Sequence, residues 1–277
     1  MCLILFAWQV HPEYPLVVAA NRDEFFSRRT AAPDFWADAP NVLAGRDLEA
    51  GGAWLGVTRD GRFAALTNYR DGAKTLPPPP SPREGVTVAR RLHPLEGFTP
   101  PSRGELVSGF LTGGKPPAHY LAEIEPNAGR YNGFNLIFGN RDELWWFSNR
   151  GERGQALAPG IYGLSNHLLD TAWPKVARGK AALAAALRTL PDEAPLFALL
   201  RDERIAPDAA LPRTGVSLEW ERRLSAAFIR SPEYGTRSAT VLLRNRAGET
   251  HFIEEGFLPD AAPGERRAFL IPAPATR

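Results

Sequence analysis

The one cysteine of the chain stands at position 2, directly after the initiator methionine. Removal of Met1 would leave a residue that carries both a thiol and a free α-amino group. That amine has a pKa of about 7.7–8, so it can accept the thiol proton near neutral pH. Cys2 then combines nucleophile and base for covalent acyl transfer. The alternative interpretation is a small buried side chain at the start of a strand, which is common for free cysteine.

Four polar residues, Asn21, Arg22, Asp23 and Glu24, follow an apolar stretch and lie where the second predicted strand ends. An aspartate beside the start of the first strand can hold an α-ammonium group. We therefore predict Asp23 as a site residue, supported by Asn21, Arg22 and Glu24. The alternative is a solvated turn in which Arg22 pairs with a neighbouring carboxylate, because such surface pairs are common and weak.

Three asparagines, Asn68, Asn135 and Asn166, each come after an apolar predicted strand. A side-chain amide can donate to a developing oxyanion, where one well-placed donor is worth about 3 kcal/mol. Asparagine also serves turns, which is the alternative. Arg237 precedes a late apolar run, and a buried arginine there can clamp a carboxylate.

Metal chemistry finds no support in the sequence. Five histidines show no metal-ligand spacing: His11, His93, His119, His167 and His251. His167, beside Asn166, is the histidine nearest to a candidate pocket. We predict no metal site. Ligation of haem iron by one of these histidines remains an alternative.

Hairpins supply the scaffold for these residues. The turn Asp60-Gly61 between two apolar runs is a strong hairpin signal, because glycine accepts the positive φ of a tight turn. Alternating or apolar runs predict strands at 2–10, 16–20, 53–58, 62–68, 133–138, 143–148, 237–244, 251–255 and 267–271. The first six runs form three consecutive hairpins.

Helices are predicted between and after these hairpins. Ser102 and Glu105 make a capping box for a helix that stops at Gly113. Asp170, Asp192 and Ser217 are the predicted caps of helices at 171–190, 192–201 and 218–229. This order of strands, helices and strands, without strand–helix–strand alternation, predicts an α+β fold of antiparallel sheets covered by helices.

Composition limits the function classes. Lys and Arg number 33 against 31 Asp and Glu in 277 residues, so no basic excess predicts nucleic-acid binding. The apolar run at 3–6 is too short to span a bilayer, and no basic segment precedes it as in a secretory signal. We predict a cytoplasmic protein without a transmembrane segment.

Proline marks one exceptional segment. Four consecutive prolines at 77–80, followed by several more, exclude a helix or a central strand there. We predict a proline-rich loop or insertion over 71–101 within a single domain of residues 1–277. A loose tail is predicted at 272–277.

Together these motifs resemble the NRDE family, the family of the transport and Golgi organisation protein 2. The resemblance runs nearly end to end. Eight segments carry it in the same order: MCLILFAW (1–8), ANRDEF (20–25), GGAWLGV (51–57), LTNYR (66–70), SRGELV (102–107), YNGFNL (131–136), YGLSN (162–166) and GTR (235–237).

That family in turn resembles N-terminal-nucleophile (Ntn) hydrolases of the bile acid hydrolase and penicillin V acylase type. The resemblance implies an αββα sandwich of two antiparallel sheets flanked by helices. It implies Cys2 as the nucleophile and Asp23 as the residue that contacts its amine. Asn68 and Asn166 match the oxyanion-hole asparagines, and Arg237 matches a late active-site arginine.

One position departs from the hydrolase pattern. Those enzymes carry an arginine directly before Asn-x-Asp, where this chain has Ala20. We expect the nearby Arg22 to point to the opposite face of the strand. Hydrolysis of a non-peptide C–N amide bond, which requires no cofactor, is one implied function. The other is non-catalytic binding or trafficking of haem or acyl-CoA as cargo in the same cleft.

Overall fold

The computed structural model describes residues 2–70, 72 and 99–273. The segment predicted over 71–101 therefore falls almost wholly outside the described residues, as does most of the tail predicted at 272–277. The strands are β1 (Cys2–Trp8), β2 (Leu16–Phe25), β3 (Thr30–Trp36), β4 (Ala39–Asp47), β5 (Leu55–Thr58), β6 (Phe63–Asn68), β7 (Phe134–Gly139), β8 (Leu144–Ser148), β9 (Gln155–Ala156), β10 (Gly160–Leu164), β11 (Tyr234–Arg244), β12 (Thr250–Phe257) and β13 (Pro263–Ile271).

Five α-helices accompany these strands in the described part of the chain. They are α1 (Gly104–Thr112), α2 (Pro117–Ile124), α3 (Pro174–Ala186), α4 (Ala194–Leu200) and α5 (Leu218–Leu224). Short 3-10 helices extend α2 and α3 at their carboxyl ends. No helix among the described residues is long and apolar enough to cross a membrane.

The strands form two antiparallel sheets. The first has the order β10-β1-β2-β11-β12-β13, and the second has the order β3-β4-β5-β6-β7-β8-β9. The three predicted hairpins are present as β1–β2, β5–β6 and β7–β8. The predicted α+β class with two antiparallel sheets is confirmed.

Alternation of side chains explains the layering. In β1, Ile4 and Phe6 face the core between the sheets, whereas Leu3 and Leu5 face the core under α3 and α4. The second sheet packs its outer face against α1 and α2 around Phe110. The inner strands are buried on both faces, and their sequences are therefore continuous apolar runs. The result is the predicted αββα sandwich.

One glycine sets how closely α3 approaches the first sheet. A Cβ at Gly179 would lie 2.6 Å from the Leu5 side chain, closer than any real contact. The helix therefore packs tightly over β1. The first turn of α3 precedes Gly179 by about one helical turn and lies near the amino end of β1.

Several predicted boundaries are wrong. The second strand continues to Phe25 instead of ending at Ala20, so 21–24 lie within β2 and not after it. The hairpin β3–β4 was not predicted, because Pro33, Pro40 and two register shifts break its alternation. Helix α2, which starts with a proline, was missed as well.

Two predicted caps are also wrong. The Ser102 hydroxyl makes no capping bond to the Glu105 N–H and instead accepts from the Gly104 N–H at 3.3 Å. Asp170 lies before α3, where it accepts from the Gly163 N–H at 2.8 Å. The predicted cap at Ser217 is confirmed, since its hydroxyl accepts from the backbone N–H of Trp220.

Candidate active site

Cys2 and Arg22 are paired residues of the β1–β2 hairpin. Directly opposite residues of an antiparallel pair extend to the same face. Arg22 is buried, and its guanidinium lies 4.3 Å from the ring centre of Trp54, which packs against the core between the sheets. Arg22 therefore extends to the same face as Cys2.

The expectation that Arg22 points away from the face of Ala20 is thus wrong. Side chains alternate with a period of two, so residues 20 and 22 share a face. Burial raises the pKa of the Cys2 thiol, with a further increase from Asp23, whereas the charge of Arg22 lowers it. Arg22 consequently supplies a positive charge beside Cys2 that Ala20 does not.

Asp23 is buried next to Cys2. Its backbone N–H hydrogen-bonds to the Cys2 sulfur, and its carboxylate accepts from the Thr236 hydroxyl at 2.8 Å. Burial raises the pKa of Asp23, and the charge of Lys175 acts in the opposite direction. Thr236 lies directly opposite Asp23 in β11 and also accepts from the Ile229 N–H at 2.9 Å. A side chain of the neighbouring strand β11 thus holds the carboxylate, and the charge of Lys175 in α3 acts on it.

A β-bulge follows Thr236. The pairing of β11 with β2 shifts between Thr236 and Ser238, which leaves Arg237 as the extra residue. Its guanidinium donates to the carbonyl oxygens of Phe25 and Arg28, each at 2.9 Å. Arg237 therefore binds the turn after β2, and these donors are occupied by main-chain carbonyls.

Asn68 and Asn166 are brought together. Asn68 ends β6, and its main-chain carbonyl oxygen accepts from the Asn166 side-chain amide at 2.8 Å. The hydroxyl of Ser165 donates to the Cys2 carbonyl oxygen at 3.2 Å. An amide has two hydrogens. Among the described residues, Asn166 uses one N–H in this way, which leaves the other for a further acceptor in a segment tied directly to Cys2.

Two predicted supporting residues, Asn21 and Asn135, serve the scaffold. The Asn21 amide donates to the carbonyl oxygens of Leu200 and Ala227 at 2.7 and 2.8 Å. Asn135 lies inside β7 rather than after a strand, and its amide donates to Thr67 and to the His167 carbonyl. Both amides use both hydrogens in this way.

Glu24 and His167 complete the set of predicted polar residues. The Glu24 carboxylate accepts from the backbone N–H of Phe25 at 2.9 Å. His167 lies between Tyr69 and Thr171, with each ring nitrogen 2.9 Å from a hydroxyl oxygen. Burial lowers the pKa of His167. Within the described ranges, no three potential metal ligands of the His, Cys, Asp or Glu type come together.

Sequence reasoning missed four residues around Cys2 and Asp23. Lys175 in α3 and Tyr234 in β11 are buried at this end of the first sheet. Arg70 and Glu221 form a buried ion pair with 3.0 Å between nitrogen and oxygen. Burial raises the pKa of Tyr234 well above its usual range. The charges of Asp23, Glu24 and Cys2 raise it further.

Only part of this set carried a sequence signal. Arg70 belongs to the LTNYR segment that contributed to the family resemblance, and Tyr234 adjoins the GTR segment. Lys175 follows a proline in an unremarkable helix start and had no signal of its own. Tertiary packing alone brings it towards Asp23.

The chain matches the family model described as "Transport and Golgi organisation 2" over residues 1–259. It is 38% identical to the transport and Golgi organization protein 2 homolog of Bos taurus, with 93% of this chain and 94% of the relative covered. The human homolog is 34% identical, with 97% and 98% covered. The Drosophila melanogaster protein is 28% identical over 92% of each chain.

Two solved structures align with the chain at much lower sequence identity. Penicillin V acylase from Agrobacterium tumefaciens aligns with a TM-score of 0.46 at 10% identity, covering 98% of this chain and 85% of the acylase. A mutant of the conjugated bile acid hydrolase from Clostridium perfringens aligns with a TM-score of 0.44 at 12% identity, covering 97% and 92%. The family match over residues 1–259, together with full-length relatives above 30% identity, shows that the chain belongs to the transport and Golgi organisation 2 family.

Proposed function

We propose that the protein is an N-terminal cysteine hydrolase that cleaves a non-peptide amide C–N bond. The observation that carries the proposal is the buried Asp23, which contacts the Cys2 sulfur through its backbone N–H and is fixed by Thr236. A carboxylate buried near the end of β2, beside the first residue of β1, is costly unless a cation or several donors compensate it. An α-ammonium group of a mature Cys2 is such a cation.

The proposed reaction uses Cys2 as nucleophile and base and the two asparagines Asn68 and Asn166 as oxyanion donors. After removal of Met1, the α-amine of Cys2 takes the thiol proton, and the thiolate attacks the amide carbonyl carbon. The amide side chains of Asn68 and Asn166 donate to the oxyanion. The α-ammonium then protonates the leaving amine as the C–N bond breaks, which gives a thioester. Water, deprotonated by the same amine, releases the carboxylic acid and restores Cys2.

The second candidate function is carriage of haem or acyl-CoA without turnover. Two observations favour it: Ala20 stands where hydrolases of the resembled type have an arginine, and the Arg237 guanidinium is bound to main-chain carbonyls. Haem ligation by His167 would replace one of its two hydroxyl contacts, to Tyr69 or Thr171.

Intact-mass measurement is the first test, because the mechanism needs a free α-amine on Cys2. We expect loss of Met1, and full retention would overturn the hydrolase proposal. The second test is incubation with a panel of N-acyl amides and detection of the released amine, with Cys2→Ser as the inactive control. Titration with haem, followed by the Soret band, and with acyl-CoA, followed by calorimetry, tests carriage in both proteins. Binding that Cys2→Ser retains, together with no amide cleavage, would assign the carrier function.

A further inference from the structure

Lys175 is a buried lysine beside the candidate site. It is 2% exposed and follows Pro174 in the first turn of α3. Within the part of the chain that the structure describes, its Nζ is buried and has no hydrogen-bond partner. A buried ammonium is costly unless neighbouring charges compensate it. The groups that face Lys175 therefore decide what it does.

Three charged or ionisable groups act on Lys175 from three different elements. Asp23 from β2 and Cys2 from β1 favour its charged form, whereas Arg70, which follows β6, disfavours it. Arg70 is itself paired with Glu221 of α5 at 3.0 Å, with both side chains at most 5% exposed. The repulsion from Arg70 is thus largely offset within its own pair.

The groups around Cys2 complete the balance of charge. Tyr234 of β11 is buried and acts electrostatically with Cys2 and Asp23, and it stays protonated at neutral pH because burial raises its pKa. Arg22 contributes one positive charge from the face between the sheets. Lys175 contributes another from the helix side. After removal of Met1, the α-ammonium group of Cys2 joins these two cations, and together they face a thiolate at Cys2 and the carboxyl groups of Asp23 and Glu24.

We propose that Lys175 is a positioning residue of the Cys2 site, whose ammonium keeps Asp23 ionised and stabilises the Cys2 thiolate from the helix layer. Lys175 thus adds, from α3, a second positive charge to the one that Arg22 supplies beside Cys2. This inference rests on the proposed function, because it assumes that Cys2 is the nucleophile. Burial lowers the pKa of Lys175 to about 8, and Asp23 acts in the opposite direction. The ammonium therefore predominates at neutral pH.

The test compares Lys175→Met, which keeps the length of the side chain without charge, with Lys175→Arg, which keeps the charge. The readout is the pH dependence of Cys2 alkylation by iodoacetamide, followed by intact mass, with circular dichroism as the fold control. We expect the apparent pKa of Cys2 to rise by about one unit in Lys175→Met and to stay near the parent value in Lys175→Arg. Because a smaller fraction of Cys2 is then in the thiolate form, alkylation at pH 7 slows about threefold to tenfold.

A folded Lys175→Met protein with the parent pH profile would overturn the inference. A profile shifted equally in both variants would do so too, because packing and not charge would then be responsible. Alkylation needs no substrate and no turnover. Failure of the hydrolase proposal, seen as uncleaved amides or retained Met1, is therefore distinct from failure of the role of Lys175.

A second measurement covers the case in which Lys175→Met does not fold. The ε-carbon of Lys175 is followed by NMR in protein labelled with ¹³C-lysine, in the parent, Asp23→Asn and Cys2→Ala. We expect a midpoint near pH 8 in the parent and lower midpoints in both variants, with the larger decrease in Asp23→Asn, since Asp23 favours the charged form of Lys175 more than Cys2 does. Unchanged midpoints in both variants would overturn the inference.

Discussion

Cys2 lies directly opposite Arg22 in the β1–β2 pair, and both side chains extend to the face between the two sheets. This relationship places a fixed positive charge beside the thiol. The backbone N–H of Asp23, the next residue in β2, contacts the same sulfur. The nucleophile is thus flanked by one cation and one main-chain donor from a single strand.

Replacement of Arg22 by methionine is expected to raise the pKa of the Cys2 thiol, because burial already raises it and the charge of Arg22 opposes that effect. The rate of alkylation at pH 7 should fall severalfold, whereas Arg22→Lys should retain most of it. Arg59→Met is the matched control, since Arg59 also lies over an aromatic ring, that of Phe35, at an exposed turn. Equal alkylation rates in the parent and Arg22→Met would contradict the prediction.

Replacement of Thr236 by valine keeps the shape of the side chain and removes the hydroxyl that donates to Asp23. It also removes the acceptor of the Ile229 N–H. Leaving buried polar groups without partners costs about 1–3 kcal/mol of unfolding free energy, measurable by urea denaturation. Thr112→Val, at an exposed helix position, is the control and should change stability by less than about 0.5 kcal/mol. A loss no larger than that of the control would count against Thr236 as the support of Asp23.

The buried pair Arg70–Glu221 should be sensitive to loss of either charge. Its side chains are 1% and 5% exposed, so Glu221→Gln leaves an arginine charge buried. We expect a loss of about 3–5 kcal/mol in the free energy of unfolding. Glu123→Gln, which breaks the exposed Lys115–Glu123 pair, should cost at most about 1 kcal/mol. Similar losses in the two variants would show that burial of the Arg70–Glu221 pair does not determine its contribution to the free energy of unfolding.

The buried Glu254 should make stability depend on pH. Burial raises its pKa from 4.5 to about 7, although the Thr240 hydroxyl donates to it and the charges of Arg22 and Arg267 act in the opposite direction. The folded state therefore holds a proton that the unfolded state releases above about pH 4.5. The stability that this carboxyl contributes is full below pH 4.5 and falls, by about 3 kcal/mol in total, as the pH rises to 7.

Glu254→Gln removes this titration. The stability of the parent minus that of Glu254→Gln should decrease by about 3 kcal/mol between pH 4.5 and 7 and then stay level. Denaturant unfolding of both proteins at several pH values measures it. A constant difference across this range would show that Glu254 titrates alike in the folded and unfolded states.

Strand content and layering were predictable because local patterns determine them. The apolar runs of β1 and β2 and the Asp60-Gly61 turn specify hairpins through side-chain alternation and turn geometry. The hairpin β3–β4 escaped prediction because its register shifts remove the alternation. The predicted cap at Asp170 failed because its carboxylate found a tertiary partner, the Gly163 N–H.

The candidate site divides in the same way. The sequence by itself determined the family resemblance, the position of Cys2 at the start of a strand and the nearness of Asp23 to it, since a short hairpin joins the two strands. Only the tertiary structure decided that Arg22 shares the face of Cys2, that the bulge turns Arg237 towards main-chain carbonyls, and that Lys175 approaches Asp23 from α3. Strand register, a one-residue bulge and the packing of a helix on a sheet depend on contacts between distant segments, which local residue patterns do not encode.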